Sequence, residues 1–174
     1  MKLKSFCLAI AFVFILLTGC ASAPGGLSSS APTSASIETD MRTEEIDNEI
    51  WYIVETESQL RSIADDDTML AQNYIQQADI ELTSEWISIG DDEHPFTGKY
   101  NGNGHTISGL RYPEGEKEYT GLFGYSKGGE MYNITLVAPD TTNANGTHNG
   151  AIVALCLDGG GSHDNTVLDE APAN

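Results

Sequence analysis

From residue 50 onward the chain alternates between short apolar bursts and clusters of Gly, Asn, Asp and Pro. "YIQQADIEL" (74–82), "WISIG" (86–90), "HTISGL" (105–110), "TGLFGY" (120–125), "YNITLV" (132–137) and "GAIVALCL" (150–157) each read as a strand bounded by turn formers. No helical period of useful length runs through them. The exception lies upstream. After the β-prone run "IWYIV" (50–54), Thr56 and Gln59 have the spacing of a capping box. "ESQLRSIAD" then predicts a short amphipathic helix over 57–65, with Leu60, Ile63 and Ala64 on one face and "DDD" (65–67) ending it. Order is expected to begin near Ile50.

One stretch combines turns and core unusually closely. "FTGKYNGNGHTISGL" (96–110) carries four glycines and two asparagines, yet Phe96, Tyr100, Ile107 and Leu110 have the character of buried positions. A stacked solenoid needs this combination. Its corners require residues that tolerate positive φ, and its short strands send alternate side chains inward. Weak internal repetition agrees. "GGEMYNITL" (128–136) aligns with "GGSHDNTVL" (160–168) at an offset of 32, "GLFG" (121–124) with "GAIV" (150–153) at 29, and "HTISGL" with "YNITLV" at 27. A constant strand pattern with loops of changing length is the signature of coils of about 30 residues. The fold class is therefore read as all-β, a short parallel β-helix with a small N-terminal helix; a meander or sandwich is the alternative. Asn133 and Asn165 coincide at the offset of 32, which predicts an asparagine ladder at a corner.

"ADIEL…EWISIG", "PFTGKYNGNGHTISGL", "YTGLFGYSKGGEMYNITL" and "NGAIVA" together resemble the GLUG-motif repeats of bacterial surface proteins, which also occur in non-catalytic regions of immunoglobulin A-cleaving peptidases. The resemblance implies a right-handed β-helix over 50–168, with Gly121, Leu122, Phe123 and Gly124 as the repeat core and 169–174 as a tail. The second unit departs from the pattern, having no aromatic equivalent to Phe123. An uncapped last coil would present a sheet edge, so self-association through the C-terminal coil is one expectation.

The N-terminal segment has a different character. Lys2 and Lys4 precede the apolar run "FCLAIAFVFILL" (6–17), which is too short to span a bilayer, and "LTGC" closes it at Cys20. Charge, apolar run and cysteine in this order resemble a bacterial lipoprotein signal. The resemblance implies a signal peptide over 1–19 and acylation of Cys20, hence stable attachment to a membrane of the cell envelope, facing outward. A Pro/Gly/Ser-rich and then acidic tether would run over 20–49.

Charge narrows the choice of partners. Twenty-six acidic residues stand against 8 basic ones, the wrong sign for binding nucleic acid. Beyond Cys7 and Cys20 there is only Cys156, in an aliphatic run that predicts a buried thiol. No nucleophile–base pair, phosphate loop or metal-ligand spacing is present. The acidic "DDEH" (91–94) lacks the alternation of oxygen ligands that calcium needs and reads as a solvated loop, and "DGGGSHD" (158–164) departs from a calcium-binding nonapeptide at Ser162 and occurs once, not in tandem. No cofactor, metal or catalytic residue is expected. The remaining candidates are aromatic: Trp86, Tyr100, Tyr112, Tyr119 and Tyr125, as a face for a surface glycan or an extracellular protein. The reading is a membrane-anchored, adhesin-like binding protein without catalytic activity. Its rivals are a polysaccharide-acting enzyme or accessory domain, and a structural envelope lipoprotein that self-associates.

Overall fold

The structure, a computed structural model, describes residues 41–115 and 117–170. The signal peptide, Cys20, the tether up to residue 40 and the tail beyond 170 lie outside the described residues. The described chain is a parallel β-solenoid of about three turns with two short helices. Its principal wall is formed by β2 (Glu49–Val54), β3 (Asn73–Gln76), β5 (Lys99–Asn101), β9 (Glu130–Tyr132) and β13 (Gly161–His163), stacked in parallel. A second wall stacks β4 (Ile80–Glu81), β6 (Thr106–Ser108), β10 (Thr135–Val137) and β14 (Thr166–Leu168). The third is built from β7 (Tyr119–Thr120) with β11 (His148–Asn149) and β8 (Phe123–Lys127) with β12 (Val153–Leu157); single bridges at Ile89 and Phe96 extend it backward.

Several apolar runs read as single strands are each two strands around a corner. "YIQQADIEL" divides into β3 and β4, and "YNITLV" into the end of β9 and β10. The corner backbone is left-handed at Asn133 (φ 54°), Asn103 (φ 52°) and Gly104 (φ 78°), so "NGNG" is the corner that its composition predicts. "WISIG" contributes only the bridge at Ile89.

Order begins before Ile50. β1 (Thr43–Ile46) folds back antiparallel on β2, so the last part of the expected acidic tether is an edge strand. Its Glu44 and Glu45 are exposed, which suits an edge that must not recruit another chain. The helix is also shorter than predicted. α1 covers Glu57–Ser62, and "DDD", read as a terminator, instead caps and opens α2 (Asp67–Leu70) through Asp66. Thr56 caps α1 as expected, while Gln59 Oε1 accepts from the Glu55 amide, one residue upstream of the usual box.

The inter-coil register corrects the offsets read from the sequence. β9 and β13 stack at 31 residues, β6 and β10 at 29, and Phe123 on Val153 at 30. Asn133 therefore aligns with Asp164, both at φ 54°, and Asn165 follows one position later. Both asparagines still join coils. Asn133 Nδ2 donates to Asn101 Oδ1 (3.2 Å), and Asn165 receives the Ile134 amide (2.8 Å) while donating to the Met131 carbonyl (3.0 Å). The two aligned segments stack without gaps at 31, not 32, since β9 on β13 and β10 on β14 keep that register on both sides of the corner. The length changes fall in other corners, such as 102–105, before which the offset to the next coil is 31 and after which it is 29.

The core is aromatic at its centre. Phe123 packs against Phe96 (4.8 Å between ring centroids) and Tyr100 (5.5 Å). Buried Gln76 is fully used: it donates to the carbonyls of Ala78 and Thr106 and accepts from Tyr100 Oη. Within Gly121–Gly124, Leu122 and Phe123 are completely buried. Gly121 and Gly124 are there for space rather than conformation. A Cβ at either would sit 2.5 Å from a backbone oxygen, that of Phe123 and of Gly90 respectively.

Candidate binding cleft

Two long connections border the third wall, residues 83–95 from one coil and, from the next, a segment that includes Tyr112, Pro113 and Lys117–Thr120. Between them lies a cleft of about 300 Å³. The first connection is anchored from inside. Trp86 Nε1 donates to the Leu122 carbonyl (2.9 Å), and the Arg61 guanidinium lies 4.8 Å from the centre of its ring. Ser88 Oγ donates to the Gly121 carbonyl (2.9 Å). Gly90 turns the chain at φ 80°, where a Cβ would meet the Tyr125 carbonyl.

This anchoring corrects the aromatic assignment. Trp86, Tyr100 and Tyr112 are core residues, 1%, 0% and 4% exposed. Alternation along a strand does not say which of its two faces is the interior, and in a solenoid the interior takes the larger rings. Tyr119 and Tyr125 do reach the surface. Their rings meet edge-on at 5.4 Å, and Tyr119 also stacks on His148 of the next coil, 12° from parallel. Trp86, Tyr112 and Tyr119 all contribute to the cleft wall, whereas Tyr100 is remote from it in the core. Burial, then the carboxylates of Glu118 and Asp92, push the Tyr119 hydroxyl above its ordinary pKa.

The rest of the cleft was not read from the sequence. Ile87, 66% exposed, projects from its lip. The signal was there, since Ile87 is an apolar residue between Trp86 and Ser88 in an alternating wall, where the outward position is normally polar. Asp91, Asp92 and Glu118 are exposed around the rim, together with half-buried Lys117. Lys117 has no ion-pair partner among the described residues, whereas Arg42, Arg61, Lys99 and Lys127 are all paired. Two buried hydroxyls in the wall, Tyr112 Oη and Thr120 Oγ1, have no hydrogen-bond partner.

A second groove, of about 400 Å³, shares Ile87, Ser88, Gly90 and Asp91 with the cleft and runs to Asp65–Asp67 and His94. "DDEH" is the exposed loop that its composition predicts. Asp91 Oδ1 accepts the amides of Glu93 and His94, and His94 Nδ1 pairs with Asp67 (2.6 Å). That contact raises the His94 pKa. Among the described residues no three His, Cys, Asp or Glu side chains gather in a metal-binding geometry. Cys156 is free and half-buried, not fully buried as expected, because among the described residues its strand is stacked on β8 alone.

No family model matches the chain, and no solved structure does. It is similar to halomucin of Haloquadratum walsbyi, 34% identical over 123 residues. The match covers 63% of this chain and 1% of halomucin. It is also similar to a Gly-rich membrane protein of Evansella cellulosilytica, 33% identical over 95 residues, which are 49% of this chain and 11% of that protein. The chain thus corresponds to a small part of the length of either relative.

Proposed function

We infer that this protein is a non-catalytic binding module displayed on the cell envelope, held by an acylated Cys20 and built on GLUG-type repeats. The observation that carries the reading is the cleft between these two long connections. It is the place where exposed apolar and aromatic surface meets unpartnered polar groups. Its rim carboxylates, Asp91, Asp92 and Glu118, are exposed and offer hydrogen-bond acceptors to a ligand. The likeness to a protein named as a membrane protein supports an envelope location, and the "LTGC" sequence supports a lipid anchor.

Two measurements test this. Mass spectrometry of the chain purified from the membrane fraction of its native host should find Cys20 N-terminal and acylated, and Cys20→Ala should release the protein from that fraction. The full mature chain with Cys20→Ser, screened against glycans and extracellular-matrix proteins, should bind one class saturably as a monomer. Absence of binding, together with oligomers that grow with concentration, would favour a structural envelope protein.

A further inference from the structure

We propose that the cleft between Ile87 and Tyr119 binds an uncharged saccharide, an assignment that rests on the binding-module reading above. The argument is one of matching groups. The rim presents acceptors only at Asp91, Asp92 and Glu118 and donors only at Lys117, with a hydroxyl able to do both at half-buried Tyr119. An anionic ligand would meet three carboxylates at close range. A cationic one would leave the Lys117 ammonium facing a like charge. A sugar hydroxyl donates to a carboxylate and accepts from an ammonium or a phenol, so a polyhydroxylated neutral ring can satisfy every group.

The apolar elements fit the same ligand. A pyranose has a C–H face beside its hydroxyl edge. Exposed Ile87 and the Tyr119 ring, fixed between His148 and Tyr125, offer that face a rigid platform. A cavity of about 300 Å³ is at the small end of ligand sites and suits a short saccharide.

Tyr112 supplies the independent sign. A buried hydroxyl without a partner destabilises a fold, and Tyr112 Oη is one. Thr120 Oγ1 is a different case, since it lies beneath Gly146 of the next coil, where a Cβ would come within 2.8 Å of it. Tyr112 belongs to the cleft wall with its hydroxyl buried just behind the surface, and under this assignment a ligand seated in the cleft is its missing partner. A hydroxyl kept for binding and one kept for the fold respond oppositely to removal.

The test uses the full mature chain with Cys20→Ser. It is titrated with glucose, galactose, mannose, N-acetylglucosamine and their β-1,4-linked dimers, with glucuronic acid and spermidine as charged controls, by saturation-transfer NMR and calorimetry. At least one neutral sugar should bind. Ile87→Asp, at an exposed position, should abolish binding without altering thermal unfolding. Tyr112→Phe should weaken binding about five- to tenfold while raising the unfolding midpoint by about 2–4 °C. Loss of stability in Tyr112→Phe with binding unchanged would overturn the role given to the hydroxyl. A preference for glucuronic acid or spermidine that is lost in Ile87→Asp would keep the cleft but overturn the ligand class. Binding to any screened partner that survives both substitutions would leave the binding-module reading standing and remove the cleft from it. Failure of every ligand would remove both.

Discussion

Glu57 shows how much one side chain can contribute in so acidic a protein. Burial alone would raise its pKa. The hydroxyl and amide of Thr83, together with Arg61 and Ser84, outweigh burial and hold it at about 2. It ties α1 to the first long connection by accepting from the Thr83 hydroxyl (2.7 Å) and amide (2.9 Å), and it pairs within α1 with Arg61 Nη2 (2.7 Å). A carboxylate whose folded pKa is depressed stabilises the fold fully above its unfolded value, near 4.5, and loses that contribution as pH falls toward 2. Urea titrations at pH 7, 4 and 2.5 should show the wild type losing on the order of 2 kcal/mol over this window from Glu57. Glu57→Gln should be less stable at pH 7 and flatter below pH 4.5. Asn165 is a second case. Its removal would strip the Ile134 amide and the Met131 carbonyl of their partners, so Asn165→Ala should cost about 2 kcal/mol in chemical denaturation.

At the level of elements, the glycines divide into two kinds that the sequence writes identically. Gly104 is at φ 78° with open space where a Cβ would be, whereas Gly124 lies against the Gly90 carbonyl. That carbonyl is committed to the inter-coil ladder through the Tyr125 amide (3.0 Å), beside the bond from the Gly124 amide to Ile89 (2.8 Å). Gly104→Ala should cost about 1 kcal/mol, a matter of backbone strain. Gly124→Ala must separate two coils and should cost about 3 kcal/mol or more. Equilibrium unfolding of the pair measures the difference, and equal effects would mean that the coils are not packed as closely as described. The stretch Gly121–Gly124 thus has a physical meaning: two large apolar residues between two points of backbone contact.

Over the whole described molecule, burial is uneven along the solenoid axis. One inward column runs Ile80, Ile107, Leu136, Val167, with exposures of 3%, 0%, 0% and 46%. Stacking on both sides is what buries a coil. Hydrogen exchange should therefore be faster in β12, β13 and β14 than in β5, β6, β9 and β10, with the low-protection segment opening as a unit. Uniform protection across these strands would show that the last described coil is covered in solution.

The sequence by itself determined the class of fold. The spacing of turn formers set short strands, and "NGNG" and the recurring glycines marked corners, because φ preference is a property of single residues. The Thr56 cap and the solvated "DDEH" loop were legible for the same local reason. Register, the direction faced by each aromatic and the cleft were decided only by tertiary structure. A stacked register of 31 residues, not 32, sets Asn133 over Asp164 and leaves Asn165 one position out of line. The inward or outward choice at Trp86, Tyr112 and Ile87 depended on where the neighbouring coil lay. Residues 86–92 and 112–120 form one site only because stacking places successive coils about 4.8 Å apart, a distance on which sequence separation has no bearing.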